Sequence, residues 1–307
     1  MLSTFLENLN VDSTRVYPPK PYVLLCGGPV GDINDPKPIS LRDAFLRSNF
    51  YNTIKNAEIL QIEEIQDYFE KDCPYGNLVL FERDIAQLSE LVLLFSEAPG
   101  SFAELGSFSA YPEILEKLLV VIQAKYLQKS SFILKGPISH LRSKNDNSVF
   151  SITNVQVGVN KNDFSGVDPE KLLELMIPPI DKRLEESKSR TTFQKIKFGH
   201  RCKLYVGLLR EFSVLKDDEL IELFKAFNIS LSKPLLNRIT FCCKCVQWSK
   251  TAQAGFDRVH FALDGNEAAK LTLKDQMGDK LKRRLEIRDH WSKVDPGRIS
   301  AQMEAMV

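Results

Sequence analysis

The chain has 307 residues, of which 43% are apolar, 9% aromatic and 26% charged, the balance of a folded globular protein. That composition excludes collagen-like, disordered and small disulfide-scaffold classes, and at ~150 residues per domain the length suggests two domains. The net charge of +1 hides an asymmetry: residues 1–181 carry 16 Lys+Arg against 24 Asp+Glu, whereas residues 182–307 carry 25 against 16. A basic C-terminal portion of this kind points to nucleic acid as a partner. No apolar run reaches the ~18 residues of a membrane span. The opening Met1-Leu2-Ser3-Thr4-Phe5-Leu6-Glu7 lacks the basic-then-apolar order of a signal peptide, so a cytoplasmic location without membrane contact is expected.

Taken in chain order, Tyr22-Val23-Leu24-Leu25-Cys26 reads as a buried strand that ends in Gly27-Gly28-Pro29. A helix should follow from Ser40, which can cap it, with Asp43 three residues on. Ala57 to Leu60 suggests a second strand. Leu78 to Leu91 places Phe81, Ile85, Leu88 and Leu91 at helical spacing. Leu91 to Phe95 is then a strand, Ala103 to Tyr111 a short helix, and Leu118 to Ile122 and Ser131 to Leu134 continue the pattern. Such alternation indicates an α/β domain with a Rossmann-like, mostly parallel sheet whose ligands bind beyond the carboxyl ends of the strands. Residues 168–190 read as helical, kinked or split at Pro178 and Pro179. The polar stretch from Ser187 to Arg201 suggests a boundary, giving a first domain over 1–190 and a second domain over 191–307. Beyond it lie three helical patterns, Cys202–Leu215, Asp217–Phe227 and Ser232–Ala252, with Asp217 and Ser232 as candidate caps. Gly255 would end the third helix, and Phe256–Leu263 reads as a strand. Three helices and a strand fit a winged helix-turn-helix with a basic C-terminal tail.

Two strand-end loops carry the candidate chemistry. In the first, Gly27, Gly28 and Pro29 let the backbone approach a ligand, and Asp32 either orients a base or simply stabilises the turn. In the second, a buried strand runs into Pro99-Gly100-Ser101-Phe102-Ala103-Glu104-Leu105-Gly106, which puts a carboxylate in the first turn of a helix. Glu104 alone would do no more than complement the helix dipole. Beside a glycine loop it describes a nucleotide pocket with an acid inside. No metal site is expected: Cys242-Cys243-Lys244-Cys245, with Cys202 elsewhere, lacks the paired spacing of zinc ligands.

Gly27-Gly28-Pro29, Glu82-Arg83-Asp84 and the segment Pro99 to Gly106 together resemble the nucleoside 2-deoxyribosyltransferase superfamily over about residues 20–160. With a winged helix behind such a domain, the whole chain resembles the effectors of type II retrons. These are anti-phage systems of a reverse transcriptase, a structured RNA with covalently linked single-stranded DNA, and an effector. The resemblance implies glycosidic-bond chemistry with Glu104 as nucleophile or stabiliser of the charged sugar. Asp84 would bond a ribose hydroxyl or the base, as an alternative to being a solvated helix acid. The main chain at Gly27, Gly28, Gly100 and Ser101 would cradle ribose or phosphate. It also implies hydrolysis of NAD or a related nucleotide as substrate, with no separate cofactor, and binding to the reverse transcriptase and its RNA-linked DNA; self-association stays open. Where the transferases carry a further acid some six residues before their glutamate, this chain has Ala98, with Glu97 one further back, which leaves the acid for the sugar hydroxyls open. The sequence identifies no nucleobase acceptor site, so hydrolysis and transfer both remain open.

In the basic portion, Lys233, Arg238, Lys244 and Lys250 fall on the third helical pattern, and Lys282, Arg283 and Arg284 lead the basic run of the tail. These are the candidate phosphate contacts. Tyr205, Trp248 and Trp291 could stack on bases, although aromatics at helical spacing more often belong to a core. The competing class is a winged-helix DNA-binding regulator whose first domain senses a nucleotide without cleaving it.

Overall fold

The computed structural model describes residues 2–50, 54, 57–65, 73–128, 130–187, 191–263, 267–274 and 279–306. The chain divides into two compact units, one formed by Pro21–Gln66 with Asn77–Lys188, the other by Met1–Lys20, Asp67–Gly76 and Ser189–Val307. This differs from a single cut at residue 190. The first twenty residues join the C-terminal portion because strand Leu9–Val16 pairs antiparallel with Ala269–Leu273 and with Thr191–Thr192.

The first unit is a five-stranded parallel sheet. Its strands are β1 (Tyr22–Cys26), β2 (Glu58–Leu60), β3 (Leu91–Ser96), β4 (Leu118–Gln123) and β5 (Val149–Ile152), in the spatial order β2-β1-β3-β4-β5. Every residue of β1, β3 and β4 is buried, which is why they read as unbroken apolar runs: helices cover both faces. The helices that position the site are α1 (Leu41–Arg47), α2 (Leu78–Ala86) and α3 (Pro99–Ser109); α4 (Pro169–Glu186) contributes to the main core. Ser40 caps α1 by accepting from the Asp43 N–H at 2.9 Å. Phe45, Phe95, Leu119, Val121, Leu172, Met176 and Ile180 form that core, in which Phe45 and Phe50 stack at 5.1 Å.

Three local expectations change. The helix α4 runs on through Pro178 and Pro179, because Leu172, Leu173, Met176 and Ile180 keep one face buried across them. The segment after Ser131 is not a strand but turns into the helical stretch Leu134–Ile138; the fifth strand is β5, whose Val-Phe-Ser-Ile is only partly buried and gives a weak apolar signal. The helix from Leu78 stops at Ala86.

In the second unit, α5 (Phe198–Phe212), β6 (Val214–Lys216), α6 (Asp217–Ala226), α7 (Lys233–Cys245), β7 (Ser249–Ala254) and β8 (Asp257–Ala262) follow one another. The three strands form an antiparallel sheet in the order β6-β8-β7. The third helix is therefore shorter than expected. It ends at Cys245, and Ser249 to Ala254 is a strand that alternates polar and small residues. Gly255, at φ 63°, is the turn of the β7–β8 hairpin rather than the end of a helix. Ser232 caps α7, whereas Asp217 lies one position inside α6 behind Lys216. The tail forms α8 (Lys280–Val294) and α9 (Pro296–Met306). Tyr205, Trp248 and Trp291 are core residues: the Trp248 indole donates to the Lys20 carbonyl at 3.2 Å and that of Trp291 to the Phe212 carbonyl at 3.0 Å. No helix among the described residues is long and apolar enough to cross a membrane.

Candidate active site

In a parallel sheet of order 2-1-3-4-5, the chain leaves β1 and β3 in opposite directions, which opens a crevice past their carboxyl ends. At that end of β1 lies a cavity of about 140 Å³ lined by Leu25, Cys26, Arg42, Ile62, Glu63, Leu78, Glu82 and Glu104. This is close to the ~150 Å³ that holds one benzene-sized ring, so it admits a single sugar or base rather than a whole dinucleotide.

Three carboxyls share this space with one guanidinium. Arg42, buried on α1, makes a bidentate pair with Glu63 through two contacts of 2.6 Å. Burial would raise Glu63, but the Arg42 hydrogen bonds and charge outweigh it and hold Glu63 below its ordinary range. Among the described residues, Glu82 and Glu104 have no such partner. Burial, then the charge of Glu63, pushes Glu82 up to about 7; burial, then the charge of Glu82, pushes Glu104 up to about 7, with Arg42 opposing. Two interacting acids of this kind titrate as a pair, and near neutrality they share one proton. The Glu104 Oε2 and the Arg42 Nε are both buried without a hydrogen-bond partner. Burial, then Glu104 and Glu82, pushes the Cys26 thiol well up, so it is a neutral wall of the cavity and not a thiolate.

The structure brings Glu104 to this cavity but not Asp84. Asp84 is fully buried on the opposite side of α2, with Oδ1 3.2 Å from the Arg83 guanidinium. Residues two apart on a helix point ~200° from each other, so when Asp84 faces inward with Phe81 and Ile85, Glu82 faces the cavity, one turn from Leu78. That phase was the available signal for Glu82. Nothing in local sequence marks Arg42 or Glu63, which come from separate elements.

Glu97 has a different place. Its carboxylate accepts from the main-chain N–H groups of Leu41 at 2.7 Å, Arg42 at 3.1 Å and Gly28 at 3.3 Å. The N–H of Gly28 is thus already engaged, and a Cβ at Gly28 would fall 2.7 Å from the Glu97 Oε1. Gly27, at φ 150°, lies against Phe95, where a Cβ would fall 2.8 Å from that residue's own Cβ. The Pro29 carbonyl accepts from the Ser40 hydroxyl. Ser101 accepts from the N–H groups of Glu97 and Ala98 at 2.9 Å each and so ties the start of α3 to the end of β3. Gly100 is exposed in the first turn of α3. Asp32 accepts from Asn34 in an exposed turn and does not line the cavity.

In the basic unit, Lys233 and Lys244 are exposed on α7. Arg238 lies over the rings of Tyr75 and Phe198, at 5.4 and 5.3 Å, and the Lys250 ammonium donates to the Ala305 carbonyl. Arg283 and Arg284 meet the buried carboxylate of Glu211, and Arg284 also forks onto Glu267, so their charge is already neutralised within the unit. Lys282 is exposed and 4.0 Å from Glu286.

The sheet order and the acid-lined crevice define a doubly wound α/β protein with a carboxylate pocket, joined to a helical unit with a small antiparallel sheet. Residues 38–251 match the STM3845 retron effector protein family, and the chain belongs to that family. It is similar to two Escherichia coli proteins. The Retron Ec86 putative ribosyltransferase/DNA-binding protein is 29% identical over 185 residues, 59% of this chain and 57% of that protein. The Retron Ec73 putative ribosyltransferase/DNA-binding protein is 28% identical over 155 residues, 48% of this chain and 46% of that protein. The chain thus matches about half the length of each relative.

Proposed function

We propose that this retron effector breaks the N-glycosidic bond of NAD or a related nucleotide at the Glu104 cavity. In this reading its second unit holds it on the RNA-linked single-stranded DNA made by the retron's reverse transcriptase. The observation that carries the reading is a sugar-sized cavity at the β1/β3 crevice holding two carboxyls without cationic partners among the described residues, one of them with a buried, unpartnered oxygen. As a C1′–N bond opens, positive charge grows on the sugar. An ionised Glu104 beside C1′ stabilises that charge or forms the covalent intermediate. Glu82 then carries the one proton the two acids share and bonds a sugar hydroxyl, a part close to the ribose or base contact that the family resemblance implies for Asp84. The word ribosyltransferase in both relatives' names supports the same chemistry. Loss of such a nucleotide would arrest an infected cell.

For the second unit, the order helix–strand–helix–helix–strand–strand supports a winged helix-turn-helix, in which α7 would be the recognition helix and the β7–β8 hairpin the wing. The relatives' names also contain DNA-binding. The test is to incubate the purified complex of effector, reverse transcriptase and RNA-linked DNA with NAD and follow nicotinamide by chromatography. Release of nicotinamide is expected; no release from NAD, and no base from any other nucleotide, contradicts the reading.

A further inference from the structure

The second unit contains a cavity of about 280 Å³ lined by Leu209, Arg210, Ser213, Ala262, Arg288, Gln302, Met303 and Met306. We propose that it receives one unstacked base of a single nucleic-acid strand, with the adjoining phosphate on Arg288. The proposal rests on the reading that this unit binds nucleic acid, and adds where and how a strand is held.

The charge on α8 is distributed unevenly. Lys280 pairs with Glu267, Lys282 with Glu286, Arg283 and Arg284 with Glu211, and Lys293 with Asp289. Arg288 is exposed, has no carboxylate partner among the described residues, and stands at the cavity. An uncompensated guanidinium at a concave mouth selects an anion, and its planar fork suits a phosphate. Inside, the Oε1 of Gln302 is buried with no hydrogen-bond partner, an acceptor that awaits an N–H. The amino or imino edge of a base supplies one. Leu209 and Ala262 give an apolar floor. Met303 and Met306 stay 57% and 43% exposed at the rim, where flexible, polarisable thioethers suit the face of a ring.

Ser213, also in the wall, has φ 66° and ψ −62°, a backbone region that L-residues rarely adopt. The neighbouring fold therefore holds this turn against its own preference, as happens at ligand sites. The volume is about twice the ~150 Å³ that holds one benzene-sized ring, enough for a base with part of its sugar. A base inside a duplex cannot enter; one from a single strand can.

The test uses the full-length chain and a fluorescein-labelled 15-nucleotide single strand, with anisotropy measured over a salt series. Arg288→Gln should weaken binding at least fivefold and lower the salt slope by about 0.7, the loss of one phosphate contact on a single strand. Gln302→Leu and Met303→Ala should each weaken binding severalfold with the salt slope unchanged, and should barely affect a duplex of the same sequence. Lys171→Gln, which removes an exposed charge paired with Asp168 in the sheet unit, is the control and should change affinity less than twofold. Thermal midpoints confirm that each variant folds. If the wild type binds the strand and the Arg288 and Gln302 variants bind it equally well, the base pocket is wrong while nucleic-acid binding stands. If the wild type binds neither single strand nor duplex, both readings fall.

Discussion

Acidic side chains are used in opposite ways in the two units. In the helical unit the buried and half-buried acids among the described residues meet cations: Glu211 faces Arg283 and Arg284, Glu267 faces Arg284 and Lys280, and Asp217 faces Arg258 and also bonds the buried His260 ring. Burial would raise Glu267 and Asp217, but those hydrogen bonds and charges outweigh it and hold both down at about 2. In the sheet unit the single guanidinium of the cavity, Arg42, is engaged by Glu63, and Glu82 and Glu104 are left to rise to about 7. Paired acids hold a structure together. Unpaired acids that crowd one small cavity are costly to the fold and are kept where protonation state matters to chemistry.

The largest effect that would break this contrast is expected on the structural side. Glu211→Ala leaves two guanidinium groups facing a vacated buried position and should cost about 3–5 kcal/mol in denaturant unfolding. Glu97→Ala removes the acceptor of three main-chain N–H groups within the sheet unit and should cost about 2–4 kcal/mol. Such a loss would mark Glu97, two residues before α3, as a structural acid.

The next prediction sharpens the chemical side. Glu82→Gln removes the largest charge acting on Glu104, so the Glu104 pKa should fall from about 7 toward its ordinary 4.5. The limb of the pH–rate profile set by its ionisation should move to lower pH. Stability follows with opposite signs in the two units. Glu82 and Glu104 have raised folded pKa values, so their contribution is present below about pH 4.5 and is lost as the pH rises through about 7. Glu267 and Asp217 have depressed values, so theirs is present above the ordinary carboxylate range and is lost as the pH falls through about 2. Unfolding curves across pH for wild type and Glu104→Gln check this: the variant should lose part of the decline between about pH 4.5 and 7. The smallest effect belongs to an exposed pair: Lys282→Ala should change stability by less than about 0.5 kcal/mol.

The parallel sheet was legible because β1, β3 and β4 are buried on both faces and read as apolar runs, and because Ser40 announces α1. β5 was not, since a partly buried Val-Phe-Ser-Ile has too little apolar contrast, and β7 lies at the end of a helical pattern for which Gly255 reads as a stop. Glu104 was visible from its loop. Glu82, not Asp84, lines the cavity, and a motif written as a line does not display which way successive helix residues face. Arg42 and Glu63 meet Glu104 only through the sheet topology, and no local pattern carries that.

The claim at the centre of this account is that Glu104 performs glycosidic chemistry while the other unit independently holds nucleic acid. The most direct measurement compares wild type and Glu104→Gln, in the complex with reverse transcriptase and RNA-linked DNA, for nucleotide turnover and nucleic-acid affinity in the same preparation. Turnover should fall by about a hundredfold or more, the scale of losing a preorganised electrostatic stabiliser, with affinity unchanged. Wild-type turnover in the Glu104→Gln complex would contradict it.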